Sequence, residues 1–451
     1  MLLKKKPNII LISFDDCRAD RLGIAGYKKN LTPFLDSLAR EGAYFPRAFA
    51  TGSGSPQSFV GTMTSTYPLD YGGFSFIDKP RVLVSEALHK AGYKTIAVHS
   101  AAYMSDYFGY NRGWDVFNYL SHFKDGGTMA GIRKETVQAK ILRRIRATRR
   151  WFKERLPFFS PVFVFFEKAI LLLRKIANDA KDFTPPFFLG NEINYEIKKL
   201  LPQRPPQPLF LWVHYMDVHE PLGFFWRNGQ GLWKKLKYHM GDIALFLFGE
   251  APRLNRIFKS LYEELYDASL RSVDGHIGGM VHYLKSRGIL EEDDVLVVLS
   301  DHGEEFFEKG AFGHEQRPFN VNLNIPLIVR SPKRVEAEVC AYPVSLIDVS
   351  PTIAEFACAE KPKTWKGRNL FDESERDVVS QLIDCEGDLT NLEPLGATII
   401  SQGHKFIDFK GKQMLFSMND MAERRDLTEQ KPNLAAELAK KLKKYQPKLT
   451  G

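Results

Sequence analysis

The sequence predicts an α/β sandwich: a central, mostly parallel sheet with helices on both faces. Two observations predict it. Short continuous apolar runs bounded by turn residues recur at NIILISF (8–14), TIAVHS (95–100), LFLWVHY (209–215), VLVVLS (295–300) and PLIVRS (326–331). Runs without polar alternation are what strands buried on both faces look like. Between them lie stretches such as LTPFLDSLAREGAYF and VLVSEALHKAGY, with apolar residues at helical spacing. Strand and helix therefore alternate, which gives layered α/β architecture.

At the N-terminus, MLLKKKPNIILISFDD has a basic start, but its apolar run leads straight into Asp15 and Asp16, so it reads as a first strand and not a signal peptide. Residues 120–205 and 222–262 interrupt the alternation with basic, aromatic and proline-rich sequence, and are expected to be insertions in a catalytic domain spanning 1–370. From 371 to 451 the pattern changes to ATIISQGHKFIDF, KQMLFSM and the charged NLAAELAKKLKKYQ, which predicts a small C-terminal α+β subdomain with a hairpin and a terminal helix. With 451 residues the chain exceeds the roughly 250–300 at which one core stops growing, consistent with a large domain and an appendage.

The 44% hydrophobic and 26% charged content excludes a disordered chain. Net charge is +9, and residues 133–155 alone carry ten Lys or Arg against two Glu, so nearly the whole excess sits in one segment. Ile141, Ile145, Thr148, Phe152 and Leu156 recur at three- and four-residue intervals there, the composition of an interfacial helix. That segment is expected either to lie on an anionic membrane surface or to pack as an ordinary solvated helix; nucleic acid is not expected as a partner. Cysteines 17, 340, 358 and 385 show no paired spacing, which argues against a disulfide framework and fits a reducing compartment. The longest apolar stretch, FVFFEKAILLLRKIA, is split by Glu167 and Lys168, so no membrane span is expected and a cytoplasmic location is.

In open α/β sheets, ligands bind outside the carboxyl ends of the strands. The first strand ends in Asp15 and Asp16, and VLVVLS ends in Asp301 and His302. Together they offer hard oxygens and an imidazole to a divalent cation; taken singly, each pair is as readily a cap or a turn. A third strand, LFLWVHYMDVHEP, ends in His214, Asp217 and His219, and the glycine-punctuated EEFFEKGAFGHEQRPFN carries His314.

These residues resemble the sulfatases of the alkaline phosphatase superfamily. The resemblance rests on six ordered blocks: PNIILISFDDCRADRLG, LTPFLDSLAREGAYFPRAFA, SPQSFVGTMTSTYP, HYMDVHEP, SDHGEEFFEKGAFGH and IPLIVRSP. It implies an alkaline-phosphatase-like sandwich and a hydrolase of anionic sulfate or phosphate esters. One divalent metal would be held by Asp15, Asp16, Asp301 and His302, with Ser55 joining the shell. Calcium is the first expectation, with magnesium, manganese and zinc also admitted. His219 and His314 fall where the family places basic groups, to bind the anion or protonate the leaving oxygen. His214 and Arg18 are expected at the substrate, Arg18 alternatively as a surface partner of Asp20.

The nucleophile segment departs from the family. Sulfatases that mature a formylglycine carry Cys or Ser, any residue, Pro, any residue and Arg, whereas here Ser55 is followed at once by Pro56 and Phe59 takes the place of Arg. Aligning on Pro56 puts Gly54 at the nucleophile; aligning on TMTSTYP puts Ser55 there, as in the unmodified Ser/Thr variants. Ser55 is therefore expected to attack as an unmodified serine, with no formylglycine, its competing role being a helix cap. An unmodified hydroxyl leaves phosphodiesterase, phosphonate hydrolase and phosphotransferase chemistry open beside sulfate hydrolysis. A non-catalytic polyanion- or membrane-surface-binding protein is the alternative from another class.

Overall fold

The computed structural model describes residues 6–121, 187–219, 222, 252–314, 316–384 and 392–446. The basic segment 133–155 lies outside the described residues, as do most of 120–205 and 222–251. In chain order the strands of the main sheet are β1 (Ile9–Phe14), β2 (Ala43–Tyr44), β3 (Lys94–His99), β4 (Val116–Tyr119), β5 (Leu209–Tyr215), β6 (Val295–Ser300), β7 (Leu327–Arg330) and β8 (Glu338–Val339). They lie in the order β8-β2-β7-β6-β1-β5-β3-β4. The run from β6 to β4 is parallel throughout, while β7 is antiparallel to both its neighbours.

Helices α1 (Pro33–Glu41), α2 (Ser55–Thr64), α3 (Val84–Lys90), α4 (Gly190–Leu200), α5 (Pro252–Ser286) and α6 (Val349–Phe356) cover the sheet. Successive strand residues point to opposite faces, so each central strand feeds two cores. Leu11, Trp212 and Val297 pack with Phe59 and Met63 of α2, Leu88 of α3 and Ile353 of α6. Ile10, Ile12, Val213 and Val298 pack with Leu35 of α1, Ile197 of α4 and Ile277 of α5. Every residue of β1, β5 and β6 is buried, the physical reason their sequences show no alternation.

Two stretches expected to be insertions contribute to this core. α4 lies within 120–205, yet Ile193 and Ile197 are fully buried; Tyr262, the last residue of the second stretch, is buried on α5. Their apolar stripes are narrow and flanked by charge, which hides them beside the long basic, aromatic and proline-rich sequence that precedes each.

Beyond the main sheet, β9 (Val378–Asp384), β10 (Glu393–Ser401), β11 (His404–Phe409) and β12 (Lys412–Ser417) form an antiparallel sheet in that order. Ala435, Leu438 and Leu442 of α7 (Pro432–Leu442) close one of its faces over Ile399, Phe406 and Leu415. Each such side chain contributes about 1.5–3 kcal/mol on full burial. β9 also reaches the main domain: the Ser380 hydroxyl donates to Ala50 O at 2.6 Å, and Gln381 N donates to Thr51 O at 2.8 Å. Those two carbonyls begin the loop that leads to Ser55.

Candidate active site

Three central strands end at one level. Phe14 lies opposite both Tyr215 and Ser300, so Asp15-Asp16, Met216–His219 and Asp301-His302 leave the sheet side by side. Asp15 N continues the ladder to Tyr215 O at 3.0 Å. Asp16 then turns the chain with φ of +57°, a left-handed conformation that few non-glycine residues adopt, and its N–H donates to Asp301 Oδ1 at 3.3 Å. The Tyr266 hydroxyl, from α5, donates to Asp16 O at 2.8 Å and accepts from Arg18 N at 3.0 Å, which holds the turn.

Ser55 arrives from the other side through a loop of small residues. A Cβ on Gly52 would lie 2.5 Å from Gln57 Cβ and 3.0 Å from Gln381 O, so only glycine fits between α2 and β9. The Thr51 hydroxyl donates to Gln57 O at 2.8 Å and that of Ser58 to Gly52 O at 3.0 Å, folding the loop back on the first turn. Gly54 is the N-cap of α2 and Ser55 its first residue, with Pro56 next, where its missing N–H is no loss. The Ser55 hydroxyl makes no capping bond; Oγ lies 3.0 Å from Asp15 Oδ1, to which it donates, and 3.2 Å from His302 Nε2.

His302 is fully buried and faces two ways. Its Nε2, beside Ser55, is 3.6 Å from both Asp15 Oδ1 and Asp301 Oδ2, while its Nδ1 is 2.8 Å from Asp16 Oδ1. Burial, then the nearby charges of Asp301 and Asp16, push the Asp15 carboxyl well above the carboxylate range. Burial acts in the same sense on Asp16, but the imidazoles of His314 and His302 overcome it and hold that carboxyl below its usual value. Burial would lower His302, yet Asp301 and Asp16 together push it up to about 10. Packed this tightly, the acids recruit a proton or a cation, because uncompensated buried charge is costly.

The donor set fits a cation. Asp15 Oδ2, Asp16 Oδ2 and Asp301 Oδ2 are buried and accept no hydrogen bond. Ligand atoms of Asp15, His214 and Asp301 lie within 4.8 Å of one another, as do those of Asp16, His302 and His314. The first set, two carboxylates and one imidazole, suits calcium, magnesium or manganese; the second, one carboxylate and two imidazoles, leans toward zinc.

The other expected residues divide into those at the open side and those beneath it. His219 and His314 are partly exposed, with ring centroids 6.4 Å apart. His219 Nε2 is 3.9 Å from Asp15 Oδ2, and His314 Nδ1 is 3.3 Å from Asp16 Oδ1 and 3.1 Å from Glu304 Oε2. His214, expected at the substrate, is instead fully buried: its Nδ1 is 3.0 Å from Ser13 Oγ, its Nε2 3.2 Å from Met216 Sδ, and Phe59 packs edge-on at 4.9 Å. Burial lowers it to about 4, so it is a neutral ring under the centre. Arg18, also expected at the substrate, takes its alternative role. Its guanidinium is buried, bonded to both Asp20 oxygens at 2.9 and 2.8 Å and to Glu308 Oε1 at 2.7 Å, which leaves no donor edge for an oxyanion. Asp16 stands on the Nδ1 side of His302, apart from the Asp15, Asp301 and Ser55 atoms around Nε2. Glu304 and Tyr266 were not legible in the sequence, since nothing in spacing links them to partners that the fold brings from 10 and 250 residues away.

Among the described residues, no helix is long and apolar enough to cross a membrane. The family model described as Sulfatase matches residues 7–358. The arylsulfatase of Clostridium perfringens is 23% identical over 447 residues, covering 92% of this chain and 88% of its own. The N-acetylglucosamine-6-O-sulfatase of Bacteroides thetaiotaomicron is 23% identical over 403 residues, 81% of this chain and 70% of its own. Among solved structures, a protein in complex with its substrate D-glucosamine-2-N,6-O-disulfate superposes with a TM-score of 0.66 at 17% identity, covering 98% of each chain. The phosphonate monoester hydrolase of Agrobacterium radiobacter superposes with a TM-score of 0.64 at 17% identity, covering 97% of this chain and 95% of its own. The fold these structures share is the alkaline-phosphatase-like sandwich, and with residues 7–358 inside the family's model the chain belongs to the sulfatase family of that superfamily, as a hydrolase of sulfuric or phosphoric esters.

Proposed function

We propose that the protein is a metal-dependent ester hydrolase in which the unmodified hydroxyl of Ser55 attacks the sulfur or phosphorus of an anionic ester. The observation that carries this reading is the Ser55 Oγ position, 3.0 Å from Asp15 Oδ1 and 3.2 Å from His302 Nε2 at the first residue of α2. Asp15, Asp301 and His302 Nε2 would hold one divalent ion with Ser55 Oγ, calcium suiting the oxygen-rich set best. When bound there, such an ion lowers the pKa of the hydroxyl and neutralises charge on the transferring group.

This chain's own residues do the rest. Asp15 Oδ1 accepts the hydrogen bond of the Ser55 hydroxyl and points its lone pair outward. Asp16 Oδ1, 2.8 Å from His302 Nδ1, and the Gly303 carbonyl at 3.2 Å orient the ring from the Nδ1 side, so that Nε2 is left to the metal side. The N-terminus of α2 lends partial positive charge to an anion beside Ser55. His219 and His314 flank the open side, where one binds a non-bridging oxygen and the other delivers a proton to the leaving oxygen. Neither the family's arginine nor its maturation motif is present after Ser55, which supports phosphonate, phosphodiester or phosphoglycerol-type esters beside sulfate.

The test is a panel of 4-nitrophenyl sulfate, phosphate, phenylphosphonate and bis(4-nitrophenyl) phosphate, run on protein whose residue 55 has been checked by intact mass. Turnover of one class, abolished in Ser55→Ala, supports the proposal; equal turnover by the variant overturns it. An aldehyde mass at residue 55 would restore sulfate as the first-ranked ester.

A further inference from the structure

We propose that Asp217 and His276 form a positioning pair that holds His219 against the leaving-group oxygen, with α5 as the supporting beam. The inference rests on the proposed function and takes His219, of the two histidines at the open side, as the one that delivers the proton to the leaving oxygen.

Asp217 sits two residues before His219 in the turn that leaves β5, a turn closed by His219 N donating to Met216 O at 3.1 Å. Its side chain is completely buried. Oδ1 lies 2.8 Å from His276 Nδ1 and accepts from Gly190 N, the first residue of α4, at 3.1 Å. An ionised carboxylate can only accept, so the Nδ1 of His276 carries the proton. Oδ2 is buried and accepts no hydrogen bond, so two donors alone offset the burial of a charged group. A plain helix cap would need only the Gly190 contact.

The geometry is tight around the pair. A Cβ on residue 190 would lie 2.3 Å from His276 Nδ1, so glycine there lets the imidazole reach the carboxylate. Phe187, three residues before Gly190, packs edge-on against the His219 ring with centroids 5.7 Å apart. The segment entering α4 thus touches the turn twice, through Asp217 and through the His219 ring. α5 also fastens a second strand end, through Tyr266 on Asp16 O at 2.8 Å. Tyr266 and His276 are ten residues apart, about 15 Å along one helix, so one rigid element sets the spacing of the β1 and β5 termini.

A brace for an acid leaves a signature that general loosening does not. Protonation matters little when the departing phenol is a good leaving group and matters greatly when it is poor. The experiment measures kcat and KM for 4-nitrophenyl, 4-chlorophenyl and phenyl esters of whichever class the wild type turns over. His219→Ala, Asp217→Asn, His276→Ala and His276→Asn are compared, each with a thermal melt. On the phenyl ester His219→Ala should lose about 10²–10⁴ in kcat. Asp217→Asn and His276→Ala should lose about 10–10², with the 4-nitrophenyl ester and KM nearly unchanged. His276→Asn, whose amide nitrogen stands where Nδ1 stood, should recover most of the loss. His276 lies on a helix where alanine is well tolerated, so that variant keeps the test readable even if Asp217→Asn folds poorly. A dependence on leaving group that is steep for His219→Ala but flat for His276→Ala overturns the brace. A flat dependence for His219→Ala itself overturns the reading of His219.

Discussion

Replacing Lys405 with methionine should destabilise the C-terminal sheet by about 3–5 kcal/mol. The ammonium is almost completely buried on β11 and donates three bonds of 2.7 Å, to Pro318 O, Asn320 Oδ1 and Glu423 Oε1. Glu423 Oε2 in turn accepts from Asn320 N at 2.8 Å. The cluster clamps the sheet to the segment just after His314. Burial lowers the pKa of Lys405, against the pull of Glu423, so the ion pair is held at the expense of desolvation. Methionine fills the volume but strands the Glu423 carboxylate, and breaking a buried pair on one side costs about 3–5 kcal/mol. Adding Glu423→Gln removes the stranded charge, leaving the Pro318 carbonyl and Asn320 Oδ1 without the ammonium's donors, at about 1–3 kcal/mol each. The double variant should therefore be more stable than Lys405→Met alone. Urea unfolding monitored by tryptophan fluorescence measures this, provided the slope with denaturant is common to all variants. A loss below about 1 kcal/mol for Lys405→Met, or a double variant equal to the sum of the singles, would refute the argument.

Ser55→Ala should lower kcat by about 10⁴-fold or more. Because Ser55 does not cap α2, unfolding free energy should move by under about 1 kcal/mol; a large stability loss with activity retained would reverse the assignment. Asp301→Asn should lose bound metal and turnover together, read by elemental analysis and initial rates, and full activity of a chelated, metal-free wild type would end the metal claim. His99, stacked on Trp212 and Tyr119, is held down to about 3 by burial and by nearby His214. Its folded pKa lies below the unfolded value of about 6.5, so its contribution is whole above about 6.5 and fades as pH falls toward 3, by up to about 1.4 kcal/mol per pH unit. His99→Phe should flatten the acid side of the stability curve; an unchanged slope would show that other groups set it.

How far the sequence spoke depends on what each feature required. The runs at 8–14, 209–215 and 295–300 were legible because burial on both faces forces a continuous apolar string, and their ends pointed to Asp15, Asp301, His302 and His219. Direction was not legible. His214 and His219 belong to one segment, yet His214 is the next-to-last residue of β5 and turns inward, while His219 lies beyond the turn on the open side. Arg18 could equally have faced an anion or Asp20, and the choice depends on Glu308, brought from 290 residues away. α4 and α5 hid because long basic and aromatic stretches without strand–helix alternation precede their narrow stripes.

The bonds from Ser380 and Gln381 to Ala50 and Thr51 span 330 residues of chain. During synthesis, therefore, the loop that presents Ser55 lacks these two bonds until β9 is translated. Asp15 waits likewise for Asp301. Domains fold as their residues emerge from the ribosome, so a nascent chain halted before residue 378 should hold a largely formed parallel sheet but no working hydroxyl. On the proposed reading of Ser55, such a truncated chain should show no ester turnover, and turnover should appear only in chains that include β9.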